Sequence, residues 1–351
     1  MYNVRYVFKN FLFMLTLVSS LCVIQGGCAA SENLDKEYEW PVPPDKPRIR
    51  YLHSLSDGNV MPQSIFTNIL QTLTGAGSAS VRLAKPHGVA ADELGRVYVT
   101  DTELRSVVVF DFVEKRMRSL GDSGPGRLFN PIGIALHDTL VFVSDSHLRK
   151  VYVFNSRGNF LSSIGKSDDL KNPVAVAYHS GQNKVFIVDA KANEIVVYNM
   201  SGELQFRFGA ARDWEGGLHL PSSIWISDDT LYVVDGMAFR VAIYDLNGKF
   251  LSSFGAPGSG PGFFARPKGA AVSSDGKIFV TDAAFNNFQI FDAQGQVYLF
   301  VGAGGNAPGE FMLPNGIFID KKNKLFVVDQ VNKRVQVFQY FGDEQKVQES
   351  K

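Results

Sequence analysis

The sequence predicts an all-β ring of six blades, each a four-stranded antiparallel sheet, and three observations carry that prediction. One pattern recurs six times: Val or Ile, one residue, Asp, five residues, then an apolar strand ending in Phe or Tyr. Its aspartates are Asp101, Asp145, Asp189, Asp235, Asp282 and Asp329, spaced 44 to 47 residues apart. A proline precedes each copy, at Pro86, Pro131, Pro173, Pro221, Pro267 and Pro314. Within one period fall four short strand signals divided by turn residues; in the fifth copy they are GAAVS, KIFVTD, FQIFD and VYLFVG. Four antiparallel strands every ~45 residues is the period of a propeller blade, so six copies describe a six-bladed β-propeller.

In chain order, the first segment reads as an address. Residues 1–10 carry Arg5 and Lys9 and no acid, and Phe11–Ile24 is an almost unbroken apolar run. That run is short for a bilayer span and matches the apolar core of an export signal over residues 1–27. Gly26-Gly27-Cys28-Ala29 follows. Small residues before a cysteine at this point resemble the lipobox of bacterial lipoproteins, which implies that Cys28 is acylated and becomes the N-terminus. Gln25 stands where that motif prefers an apolar residue, so simple secretion after cleavage at Ala29 is the alternative. Residues 28–46 form a Pro-rich lead-in, expected to be stiff and extended.

The propeller is expected over residues 47–342. Its last repeat runs out after a third strand, and residues 343–351 are a polar tail. The missing outer strand is expected at 47–55, before the first repeat, where Arg48-Ile49-Arg50-Tyr51-Leu52-His53-Ser54-Leu55 has the pattern of an outer strand such as Phe250-Leu251-Ser252-Ser253-Phe254. Such a strand closes the ring and removes a free sheet edge, with Ile49, Tyr51 and Leu52 as its buried residues. Between it and the first blade, at about 83, residues 62–74 place Ile65, Phe66, Ile69, Leu70 and Leu73 on one stripe of a short helix.

The motif Asp329-Gln330-Val331-Asn332-Lys333-Arg334-Val335-Gln336-Val337-Phe338 resembles the NHL repeat, and the resemblance covers residues 83–341. The segment WPVPPDKPRIRYL further resembles bacterial exported six-bladed propeller lipoproteins. The implied setting is the cell envelope, facing the periplasm or cell surface, with the membrane reached through a lipid anchor.

Composition limits the function. Lys and Arg number 35, as do Asp and Glu, so the cationic surplus of a nucleic-acid binder is absent. Cleavage after residue 27 removes two basic residues and no acidic one, leaving a charge near −2. Cys22 and Cys28 are the two cysteines, so the exported domain has no internal disulfide and no thiolate chemistry.

Strand direction gathers the residues after each proline and those after each aspartate around one mouth of the central channel. After the prolines stand His87, Ile132, Val174, Ser222, Lys268 and Asn315. The turns after the aspartates add Arg105, Arg149, Asn193, Phe239, Asn286 and Lys333. Structural residues tend to repeat, and this set does not. We therefore read His87, Ser222, Lys268, Asn315, Arg105, Arg149 and Lys333 as the face for a small anionic ligand or an acidic loop of an envelope protein, captured by a monomer. The six aspartates do repeat, and they are expected to hold turn N–H groups or a neighbouring blade's Arg.

No complete catalytic signature is present, and no cofactor or metal is expected. Peptidylglycine lyase relatives hold zinc with three axial histidines, and only His87 occupies such a slot. Lactonase-like propellers need an oxygen cage for calcium, and Asn315 alone could contribute. Streptogramin-lyase relatives need a His and Glu pair, and the repeat register gives His87 no acid. Gly165-Lys166-Ser167 lacks the first glycine of a P-loop, since Phe160 stands there. A binding or scaffolding module is the leading reading; a lyase or lactonase with a channel metal is the alternative.

Overall fold

A computed structural model describes residues 37–57, 81–166, 168–210 and 215–342. The expected export signal, Cys28, the helix expected at 62–74 and the 343–351 tail lie outside the described residues. Within them are twenty-five strands and no helix, arranged in six antiparallel sheets. Each sheet is one repeat, and its innermost strand begins at the repeat's proline: Pro86–Ala91, Pro131–His137, Pro173–His179, Pro221–Ser227, Pro267–Val272 and Pro314–Ile319.

Burial explains the ring. The strands carrying the aspartates are nearly continuous Val, Ile, Leu, Phe and Tyr because both of their faces are covered. Six apolar clusters result, each shared by two adjacent blades. A blade alone would leave two apolar faces in water, so the six sheets are stable only side by side.

The last sheet is closed from the N-terminus, as the sequence predicts. Strand β1 (Glu39–Trp40) pairs with β2 (Ile49–Leu55), and β2 pairs antiparallel with the final strand Arg334–Tyr340. Two details differ from expectation. The lead-in is not extended throughout: it folds back, so that Trp40 lies opposite Ile49 and adds a fifth strand to the blade. The Trp40 ring meets Phe338 edge-on at 6.0 Å. The buried residues of β2 also differ. Ile49 and Leu55 are fully covered, Tyr51 is half-buried and Leu52 is exposed.

The cause is a register shift between Tyr51 and His53. One extra residue inverts the alternation of a strand. Ile49 therefore enters the cluster between the fifth and sixth blades, and Leu55 the cluster between the sixth and first.

The six aspartates are fully buried. Asp145 accepts the N–H groups of Phe129 (2.6 Å), Asn130 (3.0 Å), His147 (3.1 Å) and Leu148 (2.9 Å), joining the connection before the inner strand to the turn after it. Asp101 and Asp282 do the same for their repeats. The fourth and sixth repeats use another arrangement. There the residue before the proline is Leu220 or Leu313, in the left-handed region at φ 56° and 55°. Its N–H goes to the side-chain oxygen of Asn193 or Asn286 in the preceding blade. The aspartate is left with room for a guanidinium, and Arg240 or Arg334 of its own blade fills it. The arginine partner expected from a neighbouring blade thus comes from the same blade, because the position five residues after the aspartate opens the adjoining strand. Asp235 keeps one backbone donor, His219, and burial raises its carboxyl above the usual range despite Arg240.

Candidate functional site

The mouth of the channel is built where the inner strands begin. In every blade the pairing of the inner strand shifts just after the proline. A bulge there re-aims the next side chain, and His87, Ile132, Val174, Ser222, Lys268 and Asn315 all line the channel.

The following position must be small. A Cβ on Gly316 would lie 2.5 Å from the His87 carbonyl oxygen, and one on Gly88 would lie 2.6 Å from that of Ile132. Side chains then tie neighbouring strands. Thr100 Oγ1 accepts the Gly88 N–H and donates to the Ile132 carbonyl, both at 2.7 Å. Thr281 does the same between Gly269 and Asn315.

The structure sorts the residues expected at this face. His87, Lys268 and Asn315, from the first, fifth and sixth blades, meet in one cleft of about 280 Å³. Ser222 lines the channel outside that cleft, and its hydroxyl donates to the Lys268 carbonyl at 2.9 Å, a link between blades. Arg105 borders a second cleft, which shares Thr102 and Asn130 with the first. Arg149 and Lys333 are exposed and line neither.

The first cleft also contains Lys85 and Arg266, which the reading of the residues after the prolines passed over. The signal was present as Lys85-Pro86-His87 and Arg266-Pro267-Lys268, a base on each side of proline in two of six repeats. No Asp or Glu lines the cleft. Among the described residues, none of Lys85, Arg266 and Lys268 is in an ion pair.

Crowded cations repel further charge. Burial, then Lys268 and Lys85, push the His87 imidazole down to about 4, so at neutral pH it is an uncharged hydrogen-bonding group. Burial, with Arg266 adding to it, holds the Lys268 ammonium below the usual lysine range, while Asp282 opposes. An anion beside this lysine would offset the repulsion from Arg266. Among the described residues, no cluster of three His, Cys, Asp or Glu side chains could hold a metal ion.

Known proteins share this architecture. Residues 271–348 match a family described as "6-bladed beta-propeller", and residues 83–110 match the NHL repeat. None of the curated proteins matches the chain in sequence. Among solved structures, a protein of unknown function from Bacteroides thetaiotaomicron superposes with a TM-score of 0.58 at 16% identity, covering 73% of this chain and 70% of its own. An auxiliary nutrient binding protein from the same organism gives 0.57 at 16%, over 73% and 69%. Virginiamycin B lyase from Staphylococcus aureus gives 0.54 at 12%, over 74% and 96%. At these identities the shared property is the fold.

Proposed function

We propose that this chain, a six-bladed β-propeller of NHL repeats, is an exported and lipid-anchored binding module of the cell envelope that captures an anionic ligand or the acidic loop of a partner at its channel mouth. The observation that supports the reading is the cleft of Lys85, His87, Arg266, Lys268 and Asn315 with no carboxylate in its lining. Like charges held together without a counter-ion are unfavourable in the unliganded protein. An anion entering the cleft neutralises them, and Asn315, Asn130 and the neutral His87 offer hydrogen bonds that orient it.

The test replaces Lys85, Arg266 and Lys268 together by Ala. These side chains serve no ion pair, so folding and melting temperature should stay near those of the parent. Partner capture from envelope extracts should fall more than tenfold and lose its salt dependence. Capture of the same partners with the same salt dependence would remove the mouth as the binding surface.

The anchor rests on Gly26-Gly27-Cys28 after the apolar run. Cys28→Ser should block maturation or release the protein from membranes, as seen by fractionation and by the mass of the mature N-terminus. Equal membrane retention of the variant, with an unmodified terminus at Ala30, would rule acylation out.

A further inference from the structure

We infer that the mouth recognises a ligand carrying two anionic groups, the first in the central cleft and the second at Arg105; this rests on the central-cleft reading and extends it. Arg105 lies in the left-handed region at φ 54° and is exposed, yet its guanidinium lies over the Phe129 ring, with Cζ 4.4 Å from the ring centroid. The Phe129 ring is also stacked on His147, with centroids 3.9 Å apart and 23° between the planes. The guanidinium thus rests on an aromatic pair, Phe129 with His147.

The support beneath it is rigid. Asp145, fully buried, accepts the backbone N–H groups of both Phe129 and His147, so one carboxylate anchors the main chain that carries both rings. Asn130 Nδ2 donates to Ser146 Oγ at 2.7 Å and braces the floor between them. A guanidinium laid on such a platform has already lost much of its rotamer freedom, and its N–H edges can meet a carboxylate or phosphate in two parallel bonds. Nothing among the described residues uses those edges: Arg105 forms no ion pair there, and no acid lines its cleft.

The arrangement is confined to one junction. At the slot of Phe129, two residues before the proline, the other repeats carry Ala84, Lys171, His219, Ala265 and Met312. None offers an aromatic hydrocarbon ring of this kind. A feature that five junctions lack is not required to close the ring.

The Arg105 cleft, about 420 Å³, shares Thr102 and Asn130 with the central cleft as a common wall. A short molecule can therefore span both. Its chemistry is that of two carboxylates or phosphates on a short spacer, supplied either by a small dianion or by two acidic side chains of a loop.

Nuclear magnetic resonance titrations with acetate, linear dicarboxylates from malonate to suberate, and a peptide carrying two glutamates test the idea and separate the two sources. One dicarboxylate length should bind the wild-type protein at least tenfold more tightly than acetate. Arg105→Ala should remove that advantage, Arg105→Lys should restore only part of it, and Lys268→Ala should weaken both ligands. If the peptide alone shows the advantage, the source is a protein loop. If Arg105→Ala keeps the full advantage, or acetate, every dicarboxylate and the peptide bind equally through Lys268, the second subsite is overturned while the central cleft stands. A wild-type protein that takes up none of them overturns both.

Discussion

Deletion of residues 37–55 should leave a protein that aggregates or melts far below the parent. The strand removed is paired along Ile49 to Leu55 with the final strand, and it feeds two separate apolar clusters. Loss of the burial of Ile49 and Leu55 alone amounts to about 3–6 kcal/mol, at about 1.5–3 for each large side chain. Domains are stable by only about 5–15 kcal/mol. Phe338, fully buried beneath Trp40 and Tyr51, would also meet water, and the final strand would become an exposed edge open to association. Ile49→Ala and Leu55→Ala give graded versions, each costing about 2–5 kcal/mol. Urea unfolding followed by fluorescence measures both effects. A deletion variant with unchanged melting would mean that another segment closes the ring.

The second large effect is expected at Asp145. Asp145→Ala removes one buried carboxylate and leaves four N–H groups without their acceptor. An unsatisfied buried donor costs about 1–3 kcal/mol, and relaxation or entering water recovers part of the sum. A net loss of about 3–5 kcal/mol is expected, in the range seen when a buried charge network loses a member. Asp145→Asn should not restore it: its amide nitrogen would face two of the four donors with hydrogens of its own. Calorimetry should record a fall in melting temperature of roughly 10 °C for either variant, at about 2–4 °C per kcal/mol. A change of a degree or two would show that solvent can replace the carboxylate and that its role is not structural.

How much of this was legible follows from which residues repeat. The blades, their number and the buried aspartates each leave six copies of a signal, and repetition overcomes the weakness of any single strand pattern. The closing strand was legible because its outer-strand pattern recurs elsewhere in the chain, but its buried residues were not. A bulge at Leu52 leaves that residue exposed and turns Leu55 to the face opposite Ile49, and no residue type there announces it.

At the mouth, strand direction was enough to bring His87, Lys268 and Asn315 together. It did not separate Arg105 from Arg149 and Lys333, which share its turn slot and its left-handed backbone. The difference lies in the next blade, where Phe129 gives Arg105 a surface to lie on. Contacts between repeats are invisible to a comparison made position by position within them. Lys85 and Arg266 escaped for a related reason: the slot before the proline carries side chains with different tasks, with Leu220 and Leu313 meeting the preceding blade and the two cations facing the cleft.

The two ways of holding the aspartates bear on how such a chain can be recombined. In the fourth and sixth repeats the leucine before the proline, the arginine after the aspartate and the asparagine of the preceding repeat form one cooperating set. Its members lie on both sides of a repeat boundary, so the boundary is not a neutral cutting point. A fourth repeat transplanted behind a repeat with Arg149 in place of Asn193 would arrive with the Leu220 N–H deprived of its acceptor and a strained backbone left unsupported. Duplication or shuffling of whole repeats therefore breaks these junctions unless the preceding asparagine travels with the graft. The unit that can be exchanged intact at those places runs from the middle of one blade to the middle of the next, out of phase with the sheets themselves.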